Sequence, residues 1–205
     1  MNKTLTKKPR KKASQPSAAP AATQPSVPPK VRVATMWLSG CSGCHMSFLD
    51  LDERLVELVN AIDIVYGPVV DTKEIPEVDV GIVEGCVNNN EQEHELRTLR
   101  SRCKVLIALG DCAVTGNVPA LRNQFTLKEC LARAYEQTES TAISCIPNDP
   151  IVPKLYPQAR PLQEVVRVDL SIPGCPPDAD TIWYALTELL AGRIPQWTEK
   201  NLRYD

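Results

Sequence analysis

Nowhere in this chain of 205 residues does an uninterrupted apolar run approach the roughly twenty residues that a membrane-spanning helix needs, so no span is expected. The basic residues near the N-terminus are not followed by an apolar segment either. Ala13–Pro29 consists mostly of Ala, Ser, Pro, Gln and Thr, which fits neither a secretory nor a twin-arginine leader. Its prolines also rule out the amphipathic helix of a transit peptide. The cytoplasm is the expected compartment. No internal repeat is visible, and no Gly-rich dinucleotide fingerprint follows the first apolar run, so the chain itself should not bind NAD⁺.

Acidic charge is missing from the first thirty residues, an asymmetry that the overall charge of −2 hides. Residues 1–30 hold no acid but seven bases: Lys3, Lys7, Lys8, Arg10, Lys11, Lys12 and Lys30. That leaves 16 of the 23 Lys and Arg against all 25 Asp and Glu, so the rest of the chain carries a net charge of −9. A body of that sign lacks the concentrated basic face that phosphate binding requires, which excludes nucleic acid as the main partner. Residues 1–30 read as a solvated, disordered basic tail, and residues 31–205 as one α/β domain.

What the sequence does have is cysteine, eight in all. Cytoplasmic thiols are kept reduced, so a disulfide framework is not expected and metal binding or catalysis becomes the leading explanation. Apolar runs predict strands at Val31–Leu38, Ile62–Tyr66, Val78–Val83, Val105–Leu109 and Val165–Leu170. Between them, Phe48, Leu51, Leu55 and Leu58 recur at helical spacing, Glu91–Arg102 reads as a polar helix with Glu93 and Arg97 four apart, and Leu127–Tyr135 is helical. Ile146–Pro161 carries five prolines and reads as a surface loop; a last helix buries Ala179, Ile182, Trp183, Leu186 and Leu190. Near-continuously apolar strands alternating with helices predict a flavodoxin-like parallel sheet of five strands, order 2-1-3-4-5, with helices on both faces. In that topology the loops after the strands open on one carboxyl edge, where ligands bind.

Four cysteines sit in Gly-flanked turns on that edge: Cys41, Cys44, Cys112 and Cys175. Gly lets the backbone approach a bulky group and aim N–H groups at sulfur. Cys44 precedes a helix, and Pro176 after Cys175 suits a first helical position, so both thiolates would gain from a helix N-terminus. Four thiolates are what a [4Fe–4S] cluster requires. Two other readings stay open on pattern alone: a redox dithiol at Cys41 and Cys44, and a Cys₄ zinc site. Cys86 is ambiguous because it too ends a strand. Cys103 and Cys130 read as small buried hydrophobes, and Cys145 lies in an uninformative loop.

The segments Trp37–Asp50, Glu84-Gly85, Gly110–Asn117 and Pro173-Gly174-Cys175-Pro176-Pro177 together resemble the small subunit of [NiFe] hydrogenases, most closely the short subunit of the bidirectional, NAD-reducing enzymes. The resemblance spans residues 31–205, including the closing Arg203-Tyr204-Asp205. It implies that Cys41, Cys44, Cys112 and Cys175 hold one proximal [4Fe–4S] cluster beside the nickel–iron site of a separate large subunit. It also implies onward transfer to diaphorase subunits carrying FMN and iron–sulfur clusters. The extra domain that carries further clusters in exported hydrogenases is not matched. Cluster-bearing subunits of respiratory NADH:quinone oxidoreductase are similar but carry adjacent cysteines in the first motif, where Ser42-Gly43 separates the pair here. Related hydrogenases raise the question of FMN on this subunit, but Cys41 and Cys44 occupy the loop that would cradle its phosphate, so FMN is not favoured. His45 reads as a polar residue of the helix's first turn and His94 as solvated. Glu84 should lie near the cluster, to move protons or to hold a loop.

Overall fold

The structure is a computed structural model that describes residues 29–140, 142–199 and 202. Expectations about residues 1–28 and about Arg203-Tyr204-Asp205 therefore lie outside the described residues.

Strands β1 (Val31–Trp37), β2 (Ile62–Tyr66), β3 (Val78–Glu84), β5 (Cys103–Leu109) and β7 (Leu170–Ile172) form one sheet in the order β2-β1-β3-β5-β7. All four pairings are parallel. With β4 (Val87–Asn89) set aside, this is the expected 2-1-3-4-5 order. The central strands are mostly buried on both faces, which is why they read as near-continuous apolar runs. One face packs on Leu96 and Leu99 of α3 (Asn90–Arg102). The other packs on Phe48 of α1 (Gly43–Leu49), Leu58 of α2 (Arg54–Leu58), and Ile182 and Ala185 of α7 (Ala179–Leu190).

Four local expectations are corrected. The helix after Cys44 is two helices, broken where Asp52 takes a left-handed φ of 49°, although Phe48, Leu51 and Leu58 are still buried. The fifth strand starts at Leu170 and not at Val165. Asp169 holds the sheet edge with its side chain, its Oδ2 accepting the Leu106 N–H at 2.9 Å, and the valines before it pack on the core as irregular chain. In the last helix Leu190 is exposed, and Ala185 is buried instead. Cys103 is buried as expected, but Cys130 is only half-covered, because no residue of α6 (Leu127–Tyr135) is fully buried.

The proline-rich stretch is not all loop. Leu155–Arg160 forms β6, antiparallel to β4. A two-stranded ribbon leaves Pro157 a position that needs no N–H. Arg122 fixes the ribbon, donating to Asn88 Oδ1 and to the Tyr156 and Pro157 carbonyls. Glu93 on α3 closes it, bridging Arg97 at 2.7 Å, as the spacing predicts, and Arg160 of β6 at 2.5 Å. Arg97 first, then Arg160 and Tyr156, hold the Glu93 carboxyl down at about 2 from its ordinary 4.5. A depressed carboxylate contributes its stability above the unfolded value and loses it as pH falls from 4.5 toward 2. Glu93→Gln is expected to cost about 1 kcal/mol at neutral pH, after discounting for solvent screening, and to flatten the acid limb in that window. Urea unfolding of the two proteins at pH 7 and pH 3 measures both effects.

Candidate metal centre

The loops after β1, β3, β5 and β7 meet at the carboxyl edge of the sheet. There Cys41, Cys44, Cys112 and Cys175 line a single hollow with about 360 Å³ free of protein atoms, part of it open to solvent. Gly40, Ser42, Gly43, Glu84, Gly85, Asp111, Gly174 and Pro176 complete the wall. Cysteines up to 134 positions apart in sequence thus converge, as the topology predicts.

Each loop is held by its own contacts. The first is laced to the third strand's end, where Ser39 and Cys86 exchange backbone hydrogen bonds of 3.0 and 2.9 Å. A side chain on Gly85, at φ +80°, would strike the Leu38 carbonyl carbon at 2.8 Å. Cys44 is the second residue of α1, and the backbone N–H of the next residue, His45, donates to Glu84 Oε2 at 2.9 Å. Ser47 Oγ donates to the Pro177 carbonyl, tying α1 to the Cys175 loop. The β5 and β7 loops are laced by Asp111, whose N–H donates to the Gly174 carbonyl and whose Oδ1 accepts the Gly174 N–H, both at 2.8 Å. Gly110, at φ +81°, leaves the space that Cys44 Sγ fills; a Cβ there would stand 2.2 Å from that sulfur.

Cys112 is the second residue of the short α4 (Asp111–Thr115), a helical start that the sequence did not signal. Cys175 differs from expectation. Its peptide bond to Pro176 is cis, and α7 begins only at Ala179 behind the cap Asp178, so Pro176 is not the first helical residue. The Asp178 carboxylate, accepting the Thr181 N–H at 2.6 Å, makes the better cap and sets the later start.

Cys86 lies just past the end of β3, in a bridge with Ser39. Its side chain is 0% exposed and takes no part in the lining of the hollow. Burial, followed by the charge of Cys112 nearby, pushes its thiol up to about 11, which makes it inert as a nucleophile. The thiols of Cys44 and Cys112 are also raised. For Cys44 the causes are burial and then the Glu84 carboxylate; for Cys112 they are burial and then the neighbouring Cys175 and Cys41. Four thiolates so placed repel one another unless a cationic centre lies between them.

Glu84 is 2% exposed. Burial alone would raise its carboxyl, but contacts with His45 outweigh it and leave the group depressed. His45 Nδ1 stands 3.4 Å from Glu84 Oε2, long for a hydrogen bond, so the firm bond is the one from the His45 backbone N–H. Glu84 Oε1 and both His45 ring nitrogens have no hydrogen-bond partner among the described residues. The His45 ring packs edge-on against Trp37, with centroids 5.7 Å apart. Glu84 therefore holds the start of α1, one of the two roles that the sequence left open for it.

The donor set fits an iron–sulfur cubane. Among the described residues no three His, Cys, Asp or Glu side chains are grouped as one metal ion would require. A cubane spreads its ligands, one iron to each thiolate, whereas zinc gathers four around one point. A dithiol at Cys41 and Cys44 leaves Cys112 and Cys175 in the same wall unexplained.

Comparison with known proteins identifies the family. The NADH ubiquinone oxidoreductase 20 Kd subunit family matches residues 41–189. The delta subunit of the NAD-reducing hydrogenase HoxS of Cupriavidus necator is 43% identical over 180 residues, 86% of each chain. The chain belongs to this family, on its hydrogenase branch. A solved structure of an NAD⁺-reducing [NiFe] hydrogenase in its H₂-reduced state contains a chain that superposes with a TM-score of 0.84 at 43% identity, covering 86% of this chain and all of that one. A subunit of the F420-non-reducing vhu hydrogenase of Methanococcus voltae is 40% identical over 172 residues, but the match spans 83% of this chain and only 60% of that longer one. The Ni-Fe-Se hydrogenase of Desulfomicrobium baculatum, at 18% identity and a TM-score of 0.53, shares the fold. The chain is thus homologous to the small, electron-transfer subunit of NAD-reducing hydrogenases, and the respiratory alternative is not favoured.

Proposed function

We propose that Cys41, Cys44, Cys112 and Cys175 of this hydrogenase subunit hold one [4Fe–4S] cluster. The chain then relays electrons between the nickel–iron site of a large subunit and a flavin-bearing diaphorase that reduces NAD⁺. The observation that carries this reading is the convergence of four cysteines from three separate loops on one glycine-walled hollow. Bound there, the cluster supplies one-electron exchange without protons or bond making. The chain's own residues do the rest. The thiolates fix its orientation, Gly110 admits the Cys44 sulfur, and Asp111 and Glu84 hold the loops at fixed spacing.

FMN on this chain itself is not favoured, since the loop that would cradle its phosphate carries Cys41 and Cys44. No helix among the described residues is long and apolar enough to cross a membrane, which suits the cytoplasmic assembly proposed. The isolated chain is expected neither to oxidise hydrogen nor to reduce NAD⁺, because it relays electrons and does not activate either substrate. The test is anaerobic purification of the tagged chain from its host, with activity measured on the whole assembly and on the chain stripped from it. Hydrogen-dependent NAD⁺ reduction should stay with the assembly, together with a large subunit and diaphorase subunits. Hydrogen-dependent dye reduction by the chain alone would contradict the relay.

A further inference from the structure

We infer that Asn117 is a built-in donor to the cluster ligand Cys175, and that it sets how readily the centre accepts an electron. The inference rests on the ligand assignment proposed above and adds a residue to it.

Asn117 Nδ2 lies 3.2 Å from Cys175 Sγ, across 58 residues of sequence, well within the range for a donor on sulfur. The Asn117 backbone is held at φ 36°, a region that side chains other than Gly seldom enter and that Asn tolerates best. The preceding Gly116, at φ +87°, completes an abrupt turn at the end of α4. The turn thus delivers a side-chain N–H to Cys175. The ligand it serves by side chain is the one that needs it: Cys175 is exposed, and Asp178, not Cys175, stands at the start of α7.

The consequence follows from charge. Adding an electron makes the cluster and its thiolates more negative, and a hydrogen bond donated to a ligand sulfur stabilises that state over the oxidised one. Asn117 thus makes the centre easier to reduce. It acts on the cluster through Cys175 and is a positioning residue.

Two variants separate donation from mere support of the turn. Asn117→Gly removes the donor and keeps a residue at ease with positive φ. Asn117→Asp keeps the shape but replaces the donor with an acceptor carrying negative charge. Each is purified anaerobically as the full chain, analysed for iron, and titrated electrochemically with EPR detection. Both are expected to hold parental iron and to shift their midpoints negative, Asn117→Asp further than Asn117→Gly. At the parental midpoint the ratio of reduced to oxidised centres should fall several-fold in Asn117→Gly and about tenfold in Asn117→Asp, the latter corresponding to about 59 mV for one electron. An unchanged or more positive midpoint in Asn117→Gly would overturn the inference while leaving the ligand assignment standing, and so would loss of iron in that variant. Absence of any cubane signal in the parent chain would overturn both.

Discussion

Cys175→Ser is expected to lose the four-iron centre or degrade it to a three-iron form, while Cys86→Ser keeps near-full iron and sulfide. Both cysteines end or follow a strand of the sheet, and the order β1-β3-β5 puts Cys86 between the strands that deliver Cys41, Cys44 and Cys112. Sequence position alone makes it a credible ligand. The structure separates the two. Cys175 is exposed in the wall of the hollow, whereas Cys86 is fully buried, paired through its backbone to Ser39, and absent from that wall. Serine at 86 buries a hydroxyl at a cost of about 1–3 kcal/mol, so a loss of stability without loss of iron is the signature expected there. Serine at 175 removes a soft ligand that nothing else in the wall replaces. Iron analysis and EPR on the two variants decide the matter, and the reverse ranking would overturn the ligand set.

Gly110→Ala is expected to abolish cluster insertion although it changes no ligand. The new methyl group would sit 2.2 Å from Cys44 Sγ and 3.4 Å from the Gly174 carbonyl, so the sulfur must leave its place. The backbone at φ +81° and ψ 162° adds a penalty of about 1–3 kcal/mol for any residue with a side chain, and overpacking a fixed wall adds roughly 1–3 kcal/mol. Folding survives where the rest of the domain is stable enough, so the test is iron per chain in protein shown by circular dichroism to retain its secondary structure. Full iron content in Gly110→Ala would mean that Cys44 does not need its present position.

The sheet was legible because its central strands are covered on both faces, and that burial writes itself into sequence as near-continuous apolar runs at Val31–Leu38, Val78–Val83 and Val105–Leu109. The site was legible for a related reason. In a parallel sheet all strand ends open on one edge, so cysteines 134 residues apart in sequence fall together once the strands are placed. What failed was decided by contacts between distant residues. The β6 strand depends on β4 and on Arg122, and its prolines disguise it as loop. The late start of β7 depends on Asp169 reaching Leu106. The late start of α7 was partly visible, since Asp178 is a good capping residue, but Pro176 offered a competing signal. Asp111 and Asn117 stood inside a recognised motif. Their work, one lacing two loops and the other donating to sulfur, shows only when Gly174 and Cys175 are beside them.

The most direct measurement is the metal content and spectrum of the full chain, purified without oxygen and reconstituted with iron and sulfide. The account predicts about four irons and four sulfides per chain, together with a spin-half EPR signal on one-electron reduction that disappears in Cys112→Ser. Stoichiometric zinc, a two-iron centre, or a cubane that survives replacement of Cys112 would contradict it.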